Sequence, residues 1–303
     1  MVDTMVLGGT GYVGRHVCGV LAGLGHDVLA VARNPAKAPP GLPFAALDRP
    51  DALERLLTAV RPRVVVNAAG GVWEVTDEQM LGANVSFVER LLTALARLEH
   101  RPRLVHLGSA HEYGPAPHGV STHESVRTSP LTAYGHAKLR STRLVCAAFD
   151  DGALDGTVLR LSNVLGPGAP RGSLLGTVVR RLRAAGATGD TALLPLDAPY
   201  AYRDFVDARD VASAVARAIA RPAGRPVNIG GGTPVPVRRV MERLIELSGT
   251  PAEIVERTGG PRARDNGDWQ RLDITTAGDV LGWAPRYSLT RSLDWAWSAG
   301  ETD

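Results

Sequence analysis

A chain of 303 residues, 44% hydrophobic and 21% charged, can bury a core without disulfide or metal staples, which excludes a mini-protein, a disordered chain and a fibrous repeat. Its 34 Lys and Arg against 31 Asp and Glu leave a formal charge of +3, scattered rather than bunched, so nucleic-acid phosphates are not expected as the main partner. Cys18 and Cys146 lie in apolar helical stretches without zinc spacing and read as small buried hydrophobes; with no basic-then-apolar leader and no long apolar run, a cytoplasmic protein without membrane contact is expected.

Met5-Val6-Leu7 predicts a strand and Val13 to Leu24 a helix, with glycines between them. The alternation continues through a strand at Val28 to Val31, a helix at Ala52 to Val60, a strand at Val64 to Val66 and an amphipathic helix at Val85 to Leu98. A strand at Leu104 to Leu107 precedes a polar loop and a helix from Leu131 to Phe149, with Ser129-Pro130 as its expected cap and first-turn pair. Val158 to Leu161 is the next strand. Strands that are nearly all apolar, each followed by a helix, imply a parallel sheet covered on both faces, a doubly wound α/β fold. From Gly166 to Pro199 Gly, Pro and Arg dominate and only Leu174 to Leu182 has helical spacing. A helix at Val211 to Ala220, a strand at Val227 to Ile229 and a helix at Val237 to Leu247 then follow. The expected division is a Rossmann domain of residues 1–165 plus 205–232 and a smaller C-terminal lobe of 166–204 plus 233–303.

Gly8-Gly9-Thr10-Gly11-Tyr12-Val13-Gly14 lies between the first strand and helix, where glycines permit a tight turn and the helix N-terminus favours a pyrophosphate. An NAD-selective fold places an acid about 20 residues further on. Here the second strand ends Ala32-Arg33-Asn34, so a guanidinium replaces the acid and NADP(H) is favoured over NAD. Asp48 and Arg49 are expected to face the adenine.

Tyr134 and Lys138 stand at i and i+4 on one helix face. A tyrosine is a reluctant acid near neutrality, and an adjacent ammonium is expected to lower its pKa toward working pH. Ser109 directly follows a strand, at the carboxyl end of the sheet, where it can hydrogen-bond a carbonyl; no G-x-S-x-G elbow surrounds it, so it is not read as a nucleophile. His111, His118 and His123 lack ligand spacing and a carboxylate pattern, and no metal is expected.

These residues, with Asn67-Ala68-Ala69-Gly70, Asn163-Val-Leu-Gly-Pro167, Arg203-Asp204-Phe205-Val206-Asp207 and Leu281-Gly282-Trp283-Ala284-Pro285, resemble the extended short-chain dehydrogenase/reductase family acting on nucleotide sugars, over nearly the whole chain. The resemblance implies cofactor contacts at Ala68, Ala69, Gly70 and Leu161 besides the glycine turn, Tyr134 and Lys138. Ser109, Tyr134 and Lys138 become the catalytic residues. Substrate contacts are implied at His111, Asn163, Arg171, Arg203 and one of Arg262 or Arg264, with Trp73, Glu74 and Thr76 beside the sugar. Dehydratases of the family carry Thr-Asp-Glu where this chain has Ser109-Ala110-His111, so dehydration is not expected. Gly108 to Gly114, Gly166 to Gly176 and Trp269-Gln270-Arg271 look like actinomycete 4-ketoreductases that finish dTDP-4-keto-6-deoxyhexoses for antibiotic glycosides. The alternatives are a 4-epimerase with tightly bound NAD and a non-catalytic NADP-sensing regulator. Related enzymes pair the helices at Val85 to Leu98 and Leu131 to Phe149 in a four-helix bundle, which implies a homodimer.

Overall fold

The computed structural model describes residues 2–35, 38–49, 51–71, 75–257 and 267–299. The chain opens with β1 (Thr4–Leu7), α1 (Tyr12–Gly23), β2 (Val28–Ala32), β3 (Phe44–Ala46), α2 (Ala52–Val60) and β4 (Val64–Asn67). It continues through α3 (Asp77–Leu81), α4 (Phe87–Ala96), β5 (Arg103–Ser109), α5 (Ala133–Asp150) and β6 (Gly156–Leu161). It leaves by β7 (Asn163–Leu165), α6 (Leu174–Thr188), β8 (Ala192–Leu196) and β9 (Tyr202–Asp207), and returns by α7 (Ala208–Ala220) and β10 (Pro226–Ile229). β11 (Pro234–Pro236), α8 (Val237–Ser248), β12 (Ala252–Glu256) and α9 (Leu289–Ser298) complete the described chain.

Seven strands form one parallel sheet in the order β3-β2-β1-β4-β5-β6-β10. The order reverses between β1 and β4, so the connections leave in opposite directions and open a crevice at the carboxyl ends of the strands. Both faces are covered, which is why β1, β2, β4 and β6 are buried along their whole length. Val17, Leu21 and Val211 close one face, and Leu57, Leu91 and Val145 the other. A third apolar cluster, including Leu182, Leu194, Val240 and Leu293, ties α6, β8, α8 and α9 together beside the sheet. There β7 runs parallel and β11 antiparallel to β9, while β8 pairs with β12. These strands have little alternation to betray them, since β11 is Pro-Val-Pro and β9 carries the buried charges Asp204 and Asp207.

Two expected boundaries move. The helix predicted from Val85 starts eight residues earlier in the chain, at Asp77, behind a capping box of Thr76 and Gln79, and passes through a π turn at Gly82–Ser86 before α4. The buried Asn84 amide, donating to the Gly71 and Met80 carbonyls at 2.7 and 2.9 Å, binds this turn to the loop after β4. Thr132 rather than Ser129 caps α5, accepting from the Gly135 N–H at 2.9 Å. Ser129 instead donates its N–H to the Tyr113 carbonyl at 3.0 Å. Cys18 is buried as expected and Cys146 only partly. Among the described residues no helix is long and apolar enough to cross a membrane, and no His, Cys, Asp and Glu cluster could hold a metal.

Candidate active site

Gly8 turns with φ +77°, a conformation that favours glycine. A Cβ there would lie 2.7 Å from the Ala68 carbonyl oxygen and the Ala69 nitrogen, and one on Gly14 would lie 2.0 Å from the Gly8 carbonyl oxygen. The turn therefore folds tightly onto itself and onto the end of β4, leaving a backbone cradle at the start of α1 that a side chain would fill. That is the shape a pyrophosphate needs. The cradle floors a groove of about 1190 Å³ lined by Gly8, Thr10, Gly11 and Tyr12, by Arg33 and Asn34 after β2, and by Ala68, Ala69 and Gly70 after β4. All nine were expected at the cofactor.

Val13, Gly14, Asp48 and Leu161, expected with them, are not among its described lining residues. Val13 packs into the core, Gly14 is buried under the turn, and Leu161 is buried beside Ser109 in the β5–β6 register. Asp48 is exposed, 3.8 Å from the Arg49 guanidinium. Arg49 itself lines an adjoining recess of about 450 Å³ with Arg33, Arg90, Leu47, Leu53 and Phe87. The two carboxylates of that recess are already taken, Glu54 by Arg97 and Glu89 by Arg140, each at 2.8 Å. Arg90 gives no signal in sequence, because it meets Arg33 only across α4 and β2. Tyr12 lines the groove, and its hydroxyl donates to the Val164 and Gly166 carbonyls at 3.2 and 3.3 Å, a latch to the chain leaving β7.

Further along the sheet edge, Ser109 ends β5, 8% exposed. Its hydroxyl oxygen accepts the His111 N–H at 3.2 Å and lies near the Tyr134 phenol, in the first turn of α5. Lys138, buried one turn later, donates from Nζ to the Leu107 carbonyl. The structure thus brings the three expected residues together at the carboxyl end of β5; the described lining of the groove stops short of them at Gly70.

Their electrostatics differ from the expected ones. Burial pushes Tyr134 up to about 12 although the Ser109 hydroxyl favours the phenolate, and burial lowers Lys138 to about 8 against the pull of the Glu112 charge. The ammonium does not acidify the phenol here. It is held on the Leu107 carbonyl, and desolvation dominates both groups. Tyr134 consequently keeps its proton throughout the neutral range.

His111 stands edge-on to Tyr134, with ring centroids 5.6 Å apart and planes at 88°. Burial and then the Arg203 charge bring it down to about 4, so it is neutral at pH 7. Arg203 is half-buried and donates to the Tyr202 and Gly267 carbonyls at 2.9 Å each. The Asn163 amide donates to the Asp204 carbonyl at 2.8 Å and to Gln270 Oε1 at 2.6 Å. Arg171 is exposed on the groove wall, away from this cluster. Trp73, Glu74, Arg262 and Arg264 lie outside the described residues, and Thr76 caps α3. An aromatic group that sequence reasoning missed flanks Arg203: His118 packs 4.4 Å from Trp269 and 5.8 Å from Tyr202, and Trp269 Nε1 donates to the Val120 carbonyl at 2.7 Å.

The reversed parallel sheet and the glycine cradle define an α/β protein of dinucleotide-binding type. Residues 4–230 match the NAD dependent epimerase/dehydratase family, to which the chain belongs. It is 45% identical to a dTDP-6-deoxy-L-talose 4-dehydrogenase (NAD(P)(+)) from Kitasatospora kifunensis, over 98% of this chain and 95% of that one, so the likeness spans nearly the whole of both proteins. A 2'-dehydrokanamycin reductase from Streptomyces kanamyceticus is 31% identical over 82% of this chain and 67% of its own length. Among solved structures, a UDP-glucose 4-epimerase from Thermotoga maritima with UDP-glucose superposes with a TM-score of 0.85 at 25% identity, covering 97% of each chain.

Proposed function

We propose that this chain reduces the C4 ketone of a dTDP-4-keto-6-deoxyhexose with NADPH. The observation that carries the reading is the convergence of Ser109, Tyr134 and Lys138 at the open end of β5, where Lys138 is held on the Leu107 carbonyl and the His111 ring, next to Ser109, packs on Tyr134. A nicotinamide cofactor bound in the groove would supply the hydride. The glycine cradle, Ala68 to Gly70 and Arg33 would hold it. Ser109 would hydrogen-bond the ketone oxygen, a contact that strengthens as negative charge develops there. Tyr134 would pass its proton to that oxygen, leaving a phenolate beside Lys138. Arg203, a guanidinium beside the neutral His111, suits the substrate diphosphate, as does an arginine at 262 or 264.

The preference for NADPH rests on the recess where Arg33, Arg49 and Arg90 meet while both local carboxylates are occupied by other arginines. Three guanidiniums around one recess suit the additional phosphate of NADP. The same charges disfavour a 4-epimerase reading with NAD held by an acid. Dehydration lacks its carboxyl pair, since Ala110 and His111 follow Ser109 and Glu112 is committed to Arg160 at 2.8 Å. The dTDP-sugar and the C4 position are supported by the 45% identity to the talose 4-dehydrogenase. An antibiotic-glycoside setting has the 2'-dehydrokanamycin reductase as its support. The division into a cofactor domain of 1–165 plus 205–232 and a nucleotide-sugar lobe of 166–204 plus 233–303 belongs to this reading. So does a homodimer through α4 and α5, for which the exposed Leu81 and Leu131 near their starts are the support.

The test is NADPH consumption, followed by nicotinamide absorbance, with a dTDP-4-keto-6-deoxyhexose. Stoichiometric consumption is expected. A non-catalytic regulator would bind NADPH without consuming it, and an epimerase would turn over with no net consumption.

A further inference from the structure

Behind Ser109 lies a buried ion pair that the proposed reduction does not use. Glu112, fully buried, accepts the Ser109 N–H at 2.8 Å and the Thr142 hydroxyl at 2.9 Å on Oε1, and Arg160 Nε at 2.8 Å on Oε2. Glu112 accepts in each of these hydrogen bonds; burial raises its pKa, and the paired Arg160 guanidinium and the Ser109 N–H favour the carboxylate against that cost. Arg160 is anchored in turn, donating to the Tyr113 hydroxyl at 3.0 Å, which donates to Asn228 Oδ1 at 2.7 Å. Gly108 leaves room for this carboxylate, for a Cβ there would sit 2.7 Å from Glu112 Oε1.

We propose that Glu112 is a positioning residue for the reduction, fixing the Ser109 backbone and placing a negative charge behind Tyr134 and Lys138, with Arg160 holding that carboxylate in place. The inference rests on the roles proposed for Ser109, Tyr134 and Lys138. The charged and titratable groups that act on Lys138 are Glu112, at the short turn after β5, and His106, on β5, and Glu112 is itself paired with Arg160 on β6. Of these, Glu112 is the charge that favours the Lys138 ammonium.

Glu112→Gln keeps the shape and removes the charge. The expected result is a kcat lower by about ten- to a hundredfold, as for a misplaced catalytic group, with the NADPH Kd unchanged. Wild type should lose activity above about pH 8 as Lys138 deprotonates. In the variant this alkaline limb should move to lower pH by on the order of one unit, because a favourable negative charge has gone. A merely structural residue would lower the yield of folded enzyme without moving the limb. Because Glu112→Gln strands the Arg160 charge, Glu112→Gln with Arg160→Met removes both charges together and is expected to show the same direction of shift. A folded variant with wild-type kcat and pH profile overturns the proposal, as does failure of both variants to bind NADPH. Loss of the reductase reading would show in wild type, and loss of this one only in the variants.

Discussion

The glycine cradle and the Ser109 cluster are neighbours on one sheet edge but are built in different ways. The cradle is local: seven consecutive residues, Gly8 to Gly14, make the turn, and the end of β4 closes on it. The cluster is assembled from afar, with Ser109 from β5, Tyr134 and Lys138 from α5, Arg160 from β6 and Arg203 from β9. Backbone shape defines the first region and desolvation the second. One should therefore break by steric insertion, the other by loss of a single proton or charge.

Tyr134→Phe should give the largest effect. General acid catalysis is worth about a hundredfold or more, so kcat should fall at least that far while NADPH affinity, measured by fluorescence titration, stays within about twofold. A comparable loss of cofactor binding would mean that the two regions are not separable. Arg33→Ala and Arg90→Ala should each weaken NADPH by about tenfold or more and leave NADH unchanged, since charge-assisted hydrogen bonds contribute about 1.5–3 kcal/mol. An equal loss for both nucleotides would remove the phosphate from that recess.

Smaller still, Gly14→Ala should destabilise the fold by about 1–3 kcal/mol by forcing the Gly8 carbonyl aside, with cofactor affinity falling alongside. Gly19→Ala is the matched control, in the same helix with nothing within 4 Å of its added Cβ, and should gain up to about 1 kcal/mol. Thermal unfolding of the pair measures the cost of filling the cradle against the gain in helix propensity.

The same contrast explains which features are legible in the amino-acid sequence. The strand-turn-helix around Gly8 and the i, i+4 spacing of Tyr134 and Lys138 are local patterns, carried by residues close together in the chain. Arg90, Glu112 and Arg160 give no such signal, because each acquires its role from a partner on another element. The strands β7, β9 and β11 are hidden by shortness, proline and buried charge. The direction of the Tyr134 shift runs opposite to the expected one for the same reason, since spacing places the ammonium near the phenol but says nothing about the desolvation of both.

In the proposed reduction, protein-bound nicotinamide and Tyr134 together convert a C4 ketone to an alcohol. Turnover of a dTDP-4-keto-6-deoxyhexose with NADPH carrying deuterium at the reduced nicotinamide carbon, followed by NMR of the product sugar, addresses it most directly. One deuterium at C4 per NADP produced is the predicted outcome. Product without deuterium at C4, or no product from enzyme that binds NADPH, would contradict it.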